Sequence, residues 1–280
     1  MAIGFIGLGN IGKPMAKHLL KLSEDVWVYD VVQASVGELV SLGARGAVQP
    51  KQLAEKCRVI GLCVRDDNDV DSLLYGPDGL FENGQKDSII AIHSTVMQAS
   101  ILRWAASGKA KGIHVIDAPI TGGAAGAEAA TLCYMVGGPK DIVERCRSIF
   151  STSGQKIIHA GDTGAGIALK LCNNLMTYAA FTAVHEAASL AKAGGLSIDM
   201  LFEVGRSNGV VTPQMEAFIG NRARAASLGP EGFAKAFGPF GTLGKKDLTA
   251  ALRSGEKLGL TLPATARIAE LIEDVVLDRY

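Results

Sequence analysis

A glycine loop near the amino terminus constrains the fold of this chain more than any other feature of its sequence. Gly7-Leu8-Gly9-Asn10-Ile11-Gly12 has the spacing GxGxxG, follows an apolar run and precedes a segment with helical periodicity. In such a loop the first glycine permits a tight turn, the second lets the backbone approach phosphates, and the third lets the helix pack closely. The amides at the start of the helix attract the same phosphates. The loop therefore predicts a strand, turn and helix that bind a dinucleotide.

An acidic residue after the next apolar run supports this interpretation. Asp30 follows Val26–Tyr29, about 20 residues beyond the loop, where a carboxylate accepts hydrogen bonds from the adenine ribose. A carboxylate there repels the 2′-phosphate of NADP, and residues 31–33 include no arginine to hold one. The pattern predicts NAD rather than NADP as the cofactor. A simple glycine turn with a helix-capping aspartate is the alternative explanation.

Short apolar runs alternate with helical segments from residue 2 to about residue 160. The candidate strands are rich in valine and isoleucine: Ala2–Gly7, Val26–Asp30, Val59–Val64, Ser88–Ser94, Val115–Ile120, Leu132–Val136 and Lys156–His159. This alternation predicts βαβ units, hence a doubly wound parallel sheet with helices on both faces. We expect residues 1–161 to form this first domain.

The strand pattern stops after Gly161. The spacing predicts one long helix over Thr163–Ala193, capped by Asp162 or Thr163 and ended by two glycines. Because this helix is longer than an ordinary globular helix, residues 162–194 are predicted to join two domains. Residues 195–280 are expected to form an all-helical domain, with helices over Asp199–Val204, Thr212–Ala225, Leu243–Leu258 and Ala264–Leu277. The predicted fold class is α/β with an all-α C-terminal domain.

Charge and composition limit what the chain binds. Lys and Arg total 28, as do Asp and Glu, so the formal net charge is zero. A chain without basic excess is a poor candidate for binding nucleic acid or anionic membranes. The apolar run Leu171–Val184 is too short and too polar to span a bilayer, so we expect a soluble, cytoplasmic protein. The five scattered cysteines and five dispersed histidines predict reduced thiols and no metal site.

Two further segments contain residues suited to catalysis. Residues 117–123, Asp-Ala-Pro-Ile-Thr-Gly-Gly, follow a predicted strand, and their glycine amides with the Thr121 hydroxyl are suited to gripping a carboxylate. An ordinary glycine-rich turn is the alternative. Lys170 and Asn174, four residues apart, share one face of the long helix. A lysine near a nicotinamide can exchange a proton with a substrate oxygen as hydride moves. Gly164 and Gly166 are expected to leave the first turn bare, so that it lies against a flat ring.

Four motifs in this order resemble those of the β-hydroxyacid dehydrogenases, which include 3-hydroxyisobutyrate dehydrogenase, tartronate semialdehyde reductase and, more distantly, 6-phosphogluconate dehydrogenase. The motifs lie at residues 4–16, 117–123, 164–174 and 246–248. The resemblance implies a Rossmann domain, a long interdomain helix, an all-helical C-terminal domain and a homodimer or homotetramer. It also implies a small hydroxy acid as the substrate.

The resemblance assigns a role to each matching residue. Lys170 corresponds to the catalytic lysine and Asn174 to a substrate-binding asparagine. The substrate-binding set it implies is Thr121, Gly122, Gly123, Asn174 and Lys246. The cofactor-binding set is Gly7, Leu8, Gly9, Asn10, Ile11, Gly12, Asp30, Val64, Arg65, Thr95 and Lys246.

Three positions depart from the family pattern. Thr121 adds a methyl group to the usual serine, Arg65 replaces a proline, and Ile11 replaces a common methionine. The methyl group of Thr121 is expected to narrow or reshape the substrate pocket. Arg206 offers a site for a second acid group of the substrate, and an exposed helix-end arginine is its alternative explanation.

The sequence therefore predicts an NAD-dependent oxidoreductase that converts a small 3-hydroxy acid to a semialdehyde or ketoacid, and catalyses the reverse, with Lys170 moving the proton. An imine reductase on the same fold is one alternative, although other residues usually stand at the lysine position there. A non-catalytic NAD-binding dimer module is the second alternative, and such relatives tend to lose this lysine.

Overall fold

The computed structural model describes residues 2–280, which divide into two compact units. The first unit extends to Lys170 and the second begins at Leu171. The division falls inside one continuous helix, Ala165–Ala193. The domain boundaries expected at residues 161 and 194 stay predictions. Within residues 2–280, no helix combines the length and apolar character that a bilayer span requires.

The first unit contains a sheet with helices between its strands. Its strands are β1 (Ala2–Ile6), β2 (Val26–Tyr29), β3 (Arg45–Gly46), β4 (Cys57–Leu62), β5 (Ile89–Ile92), β6 (His114–Asp117), β7 (Ile120–Thr121), β8 (Leu132–Gly137) and β9 (Gly154–Gly161). Its helices are α1 (Gly12–Leu19), α2 (Gln33–Ser41), α3 (Pro50–Lys56), α4 (Asp67–Leu74), α5 (Leu80–Asn83), α6 (Gln98–Ala110), α7 (Gly123–Glu128) and α8 (Lys140–Phe150), followed by the start of α9 (Ala165–Ala193).

The strand order of the sheet identifies where a ligand can bind. The order is β3-β2-β1-β4-β5-β6-β8-β7, with β9 paired to β8. All pairings from β3 through β6 are parallel. The chain moves to one side of β1 and then returns to its other side, so the carboxyl end of β1 is a topological switch point. Ligands of such sheets bind in the crevice at this edge.

The sheet is mixed, whereas the alternating pattern predicts a wholly parallel one. The predicted strand over Val115–Ile120 is two strands, β6 and β7, separated by Ala118 and Pro119. Proline has no N–H to donate to a strand ladder, which explains the break. Strand β8 runs antiparallel to both β6 and β7, and β9 is parallel to β8. The chain reverses direction through the short helix α7, a connection too small to be a parallel crossover.

The central strands are apolar on both faces. Every residue of β5 is buried, as expected for a parallel strand with helices above and below. One apolar cluster of the first unit contains Phe5, Val28 and Leu132, and the other contains Ile60 and Trp104. These two clusters hold the strand ends that form the candidate site.

The second unit is helical, which confirms the prediction for the C-terminal region. After α9 it contains α10 (Ile198–Ser207), α11 (Pro213–Ala225), a 3-10 turn (Ala226–Leu228), α12 (Gly229–Lys257) and α13 (Pro263–Leu277). Helix α12 begins well before the predicted Leu243, and Pro239 lies inside it. Low-propensity residues conceal this helix in the sequence, but tertiary packing stabilises it. A Cβ on Gly244 would lie 2.9 Å from the Tyr178 ring, so small residues let α12 pack closely.

Candidate active site

The glycine loop after β1 contains three glycines in three different environments. Gly7 has φ +93°, and a Cβ there would lie 2.2 Å from the carbonyl oxygen of Cys63. A Cβ on Gly12 would lie 1.9 Å from the Gly7 carbonyl oxygen. A Cβ on Gly9 would meet no atom of the described chain within 4 Å beyond its own neighbours. The protein's own packing therefore requires Gly7 and Gly12, whereas Gly9 leaves a cradle open to a ligand. This arrangement fits the pyrophosphate of a dinucleotide.

Asp30 connects the end of β2 to this loop. Its Oδ2 accepts a hydrogen bond from the Leu8 amide at 2.5 Å, and its Oδ1 accepts one from the Val32 amide at 2.7 Å. Each carboxylate oxygen has a second lone pair that can accept from a ribose hydroxyl. The structure thus brings Asp30 and the glycine loop together.

The predicted cofactor residues after β4 and β5 lie at the same carboxyl edge of the sheet. The Val64 amide donates to the Ser94 hydroxyl at 2.8 Å, which links the two strand ends. Thr95 follows Ser94 and is partly buried. Arg65 is 86% exposed at its side chain and donates two hydrogen bonds of 2.8 Å to Asp69, and this interaction lowers the pKa of Asp69.

The loop after β6 contains the predicted carboxylate-binding residues. Thr121 pairs with Cys133 at the end of β7, and Gly122 and Gly123 have φ values of +122° and +63°. Apart from its chain neighbours and its own helix, no atom of residues 2–280 would lie within 4 Å of a Cβ on Gly123. This segment therefore offers a hydroxyl and an open backbone at the carboxyl edge.

Asp117, the last residue of β6, caps the start of α9. Its side chain is fully buried, with Oδ1 accepting from the Gly164 amide and Oδ2 from the Ile167 amide, both at 2.7 Å. Burial raises the pKa of Asp117, and the amide hydrogen bonds oppose that increase. The predicted caps were Asp162 or Thr163, but the acceptor comes from a strand 47 residues away from Gly164.

Gly166 has a different role from the one that the sequence predicted. A Cβ there would lie 2.4 Å from the Met135 carbonyl oxygen and 2.9 Å from the Asp117 carboxylate. The bare first turn therefore packs against β8 and Asp117 rather than a flat ring. Gly164 has φ +94°, and its carbonyl accepts from Gln98 at 3.1 Å. Lys170 follows on α9, partly buried, one turn after Ile167.

The second unit contains the other two predicted substrate residues. Asn174 is buried, and its Nδ2 donates to Asp247 Oδ2 at 2.7 Å. Tyr178 also donates to that oxygen, at 3.4 Å, and burial together with the Asp247 charge raises the pKa of Tyr178. Lys246 Nζ lies 3.7 Å from Asp247 Oδ1. Asn174 and Lys246 thus meet around one buried carboxylate.

Comparison with known proteins identifies the family of the chain. Residues 2–161 match the family model described as the NAD binding domain of 6-phosphogluconate dehydrogenase. The 2-(hydroxymethyl)glutarate dehydrogenase of Eubacterium barkeri is 35% identical over 275 residues, which cover 97% of this chain and 88% of that protein. This chain belongs to the β-hydroxyacid dehydrogenase family. It is therefore an oxidoreductase with an NAD(P)-binding domain, as predicted.

Solved structures with a similar fold match this chain over nearly its whole length. The 3-hydroxyisobutyrate dehydrogenase of Mycobacterium tuberculosis, in a structure with L-serine, has a TM-score of 0.84 at 26% identity and covers 99% of this chain and 94% of its own. An imine reductase from Streptomyces aurantiacus has a TM-score of 0.69 at 18% identity and covers 97% of this chain and 93% of its own. The second likeness shows a common fold and nothing about the reaction.

Two carboxylates of this β-hydroxyacid dehydrogenase escaped the sequence reasoning. Asp117 and Asp247 stand inside recognised motifs, but neither was assigned a role. The signal at Asp117 is an aspartate between the apolar residues of a strand and Ala118-Pro119, whereas Asp247 follows two lysines and has no such signal. Arg206, considered for a second acid group of the substrate, forms an ion pair of 2.9 Å with Glu216.

Proposed function

We propose that this chain is an NAD-dependent dehydrogenase of small 3-hydroxy acids of the 3-hydroxyisobutyrate type. It oxidises the hydroxyl-bearing carbon to a semialdehyde or ketoacid and catalyses the reverse reduction. The position of Lys170 is the observation that most supports this function. Lys170 lies in the second turn of α9, just beyond the amides that donate hydrogen bonds to the Asp117 carboxylate. A general acid/base needs such a fixed position relative to the proton that it moves.

The reaction divides between the cofactor and the protein's own groups. A bound NAD would supply the acceptor for the hydride of the hydroxyl-bearing carbon. Lys170 Nζ accepts the hydroxyl proton during oxidation and returns it during reduction. Thr121, with the amides of Gly122 and Gly123, binds the substrate carboxylate. Asn174 contacts the substrate oxygen, and Lys246 contributes to binding of the substrate and the cofactor.

Asp30 supports a preference for NAD over NADP. Its carboxylate lies beside the glycine loop and accepts hydrogen bonds from the amides of Leu8 and Val32. In dinucleotide-binding domains the adenine ribose binds at this position. A 2′-phosphate at that position would meet negative charge. Val31 and Val32 are both exposed beside Asp30 and supply no cation to compensate. Leu8, Asn10, Ile11, Val64, Arg65 and Thr95 complete the proposed cofactor site.

The proposal extends to assembly and location. Large apolar side chains on α9 and α10 are exposed, including Met176, Leu190 and Met200. The proposed assembly is a homodimer or homotetramer, which would bury such side chains, and light scattering of the purified protein measures its oligomeric state. All five cysteines are free thiols, which suits a reducing cytoplasm, although Cys172 is exposed rather than packed. The proposed partners include neither nucleic acid nor membrane.

A substrate panel with purified protein tests the function. Initial rates would be measured with 3-hydroxyisobutyrate, glycerate, serine and 2-(hydroxymethyl)glutarate, each with NAD and with NADP, and a cyclic imine would be tested with both reduced cofactors. We expect turnover of at least one hydroxy acid, with kcat/KM for NAD at least tenfold above that for NADP.

Each other outcome of the panel contradicts a different part of the proposal. A preference for NADP overturns the role of Asp30. Reduction of imines without turnover of any hydroxy acid favours an imine reductase. Tight NADH binding without turnover favours a non-catalytic binding module.

A further inference from the structure

The carboxylate of Asp117 links two motifs that the proposed reaction uses separately. It ends β6, four residues before Thr121 in the proposed carboxylate-binding loop. Its two oxygens accept from the amides of Gly164 and Ile167 at 2.7 Å each. One side chain therefore lies at the root of the loop and at the start of the helix that contains Lys170.

The surrounding backbone leaves room for this carboxylate. A Cβ on Gly137 would lie 2.5 Å from Asp117 Oδ1, and a Cβ on Gly166 would lie 2.9 Å from Oδ2. Both glycines come from segments that cross next to Asp117, β8 and the first turn of α9. No side chain fits between them and the carboxylate. The first turn of α9 is thus held next to β8 by backbone contact with Asp117.

The first turn of a helix has amides without partners inside the helix, so an external acceptor decides whether the turn is fixed. Carboxylate acceptors form shorter and stronger hydrogen bonds to amides than neutral groups do. Lys170 follows Ile167 by one turn, so any fraying of the first turn moves the lysine. Gln98 adds a bond to the Gly164 carbonyl but none to these amides.

We propose that Asp117 is a positioning residue for Lys170: its buried carboxylate fixes the first turn of α9 and thereby the location of the proposed general acid/base. This inference rests on the proposed function of Lys170. Asp117 acts through the helix and does not itself contact the substrate. Its loss therefore reduces kcat through Lys170 and leaves the glycine loop, and with it cofactor binding, intact.

A double-mutant cycle tests this coupling. Asp117→Asn keeps the shape of the side chain but has one acceptor oxygen, and it would be combined with Lys170→Ala. Asp162→Asn is the matched control, because Asp162 is exposed, and within residues 2–280 the Gly164 and Ile167 amides at the start of α9 donate to Asp117 instead. We expect Asp117→Asn to lower kcat at least tenfold, to change the Kd for NADH less than twofold, and to have less than a twofold effect in the Lys170→Ala background. Asp162→Asn retains full activity.

Two kinetic results would overturn the proposal. One is unchanged kcat in Asp117→Asn; the other is an equal loss of kcat with and without Lys170, which would place the effect outside the lysine. Amide hydrogen exchange of the unmodified protein gives a readout that needs no activity and no variant. We expect the Gly164 and Ile167 amides to exchange at least a hundredfold more slowly than in an unstructured peptide. Unprotected amides would contradict the anchor itself, whereas absence of turnover with protected amides would contradict only the proposed function.

Discussion

Two glycine-rich segments of the first unit look alike in sequence and differ in what they approach. In Gly7–Gly12, the middle glycine faces open space, so its bare backbone is available to a ligand. At the start of α9, Gly166 packs against the Met135 carbonyl and the Asp117 carboxylate, so its bare backbone is already used by the protein. The comparison teaches that a glycine motif predicts where something approaches the backbone closely. It does not tell whether that partner is a ligand or the chain itself.

We therefore assign cofactor binding to the first segment, and to the second the packing that fixes the helix containing Lys170. Lys170→Ala is the strongest test, because removing a general acid/base typically costs about a thousandfold in rate. We expect kcat to fall by about that factor while the Kd for NADH, measured by fluorescence, stays within twofold. Lys192→Ala, an exposed lysine in the last turn of the same helix, is the control and should leave kcat unchanged. Near-normal turnover of Lys170→Ala would remove the lysine from the mechanism.

Gly166→Ala tests the second segment as a packing site. The added methyl group would lie 2.4 Å from a backbone oxygen, so we expect the free energy of unfolding to fall by about 3 kcal/mol. Urea denaturation measures this loss. Gly37→Ala, in a helix with open space around the glycine, should instead stabilise the protein by about 0.5–1 kcal/mol. Equal stability of the two variants would contradict the distinction between the segments.

For Gly9→Ala, in the first segment, we expect the opposite result: unchanged stability and weaker cofactor binding. Because the added methyl group has only its own chain neighbours within 4 Å among the described residues, urea denaturation should give an unfolding free energy close to that of the unmodified protein. The methyl group would occupy the space proposed for the pyrophosphate, so we expect the Kd for NADH to rise about tenfold, or about 1.4 kcal/mol. Unchanged NADH affinity would show that the open cradle is not where the cofactor lies.

Asp30→Asn has the smallest expected effect. The amide keeps one acceptor oxygen but loses the negative charge that opposes a 2′-phosphate, so the ratio of kcat/KM for NAD to that for NADP should fall about fivefold. Asp25→Asn, at the other end of β2 and 3.1 Å from Arg45, should leave the ratio unchanged. If both variants preserved the ratio, Asp30 would not determine the choice of cofactor.

The sequence predicts those parts of this molecule that depend on local pattern. The glycine loop, Asp30 and the alternation of strands and helices are properties of neighbouring residues, and the structure has the α/β fold that they indicate. The family motifs also located Lys170 on a long helix, which the structure contains as α9.

Contacts between distant segments account for what the sequence did not reveal. The cap of α9 comes from Asp117, 47 residues before Gly164, so no local capping pattern could indicate it. Asp247 holds Asn174 from 73 residues away. The antiparallel direction of β8 depends on the reversal through α7, and the length of α12 depends on packing that tolerates Pro239. Propensity and periodicity do not contain this information.

Hydride transfer from a hydroxy acid is the central claim, and isotope labelling tests it most directly. A 3-hydroxy acid accepted by the enzyme, carrying deuterium on its hydroxyl-bearing carbon, would be oxidised with NAD, and the reduced cofactor would be analysed by mass spectrometry and NMR. We predict one deuterium at C4 of the nicotinamide for each product molecule. Reduced cofactor without deuterium, or no reduced cofactor with any hydroxy acid, would contradict it.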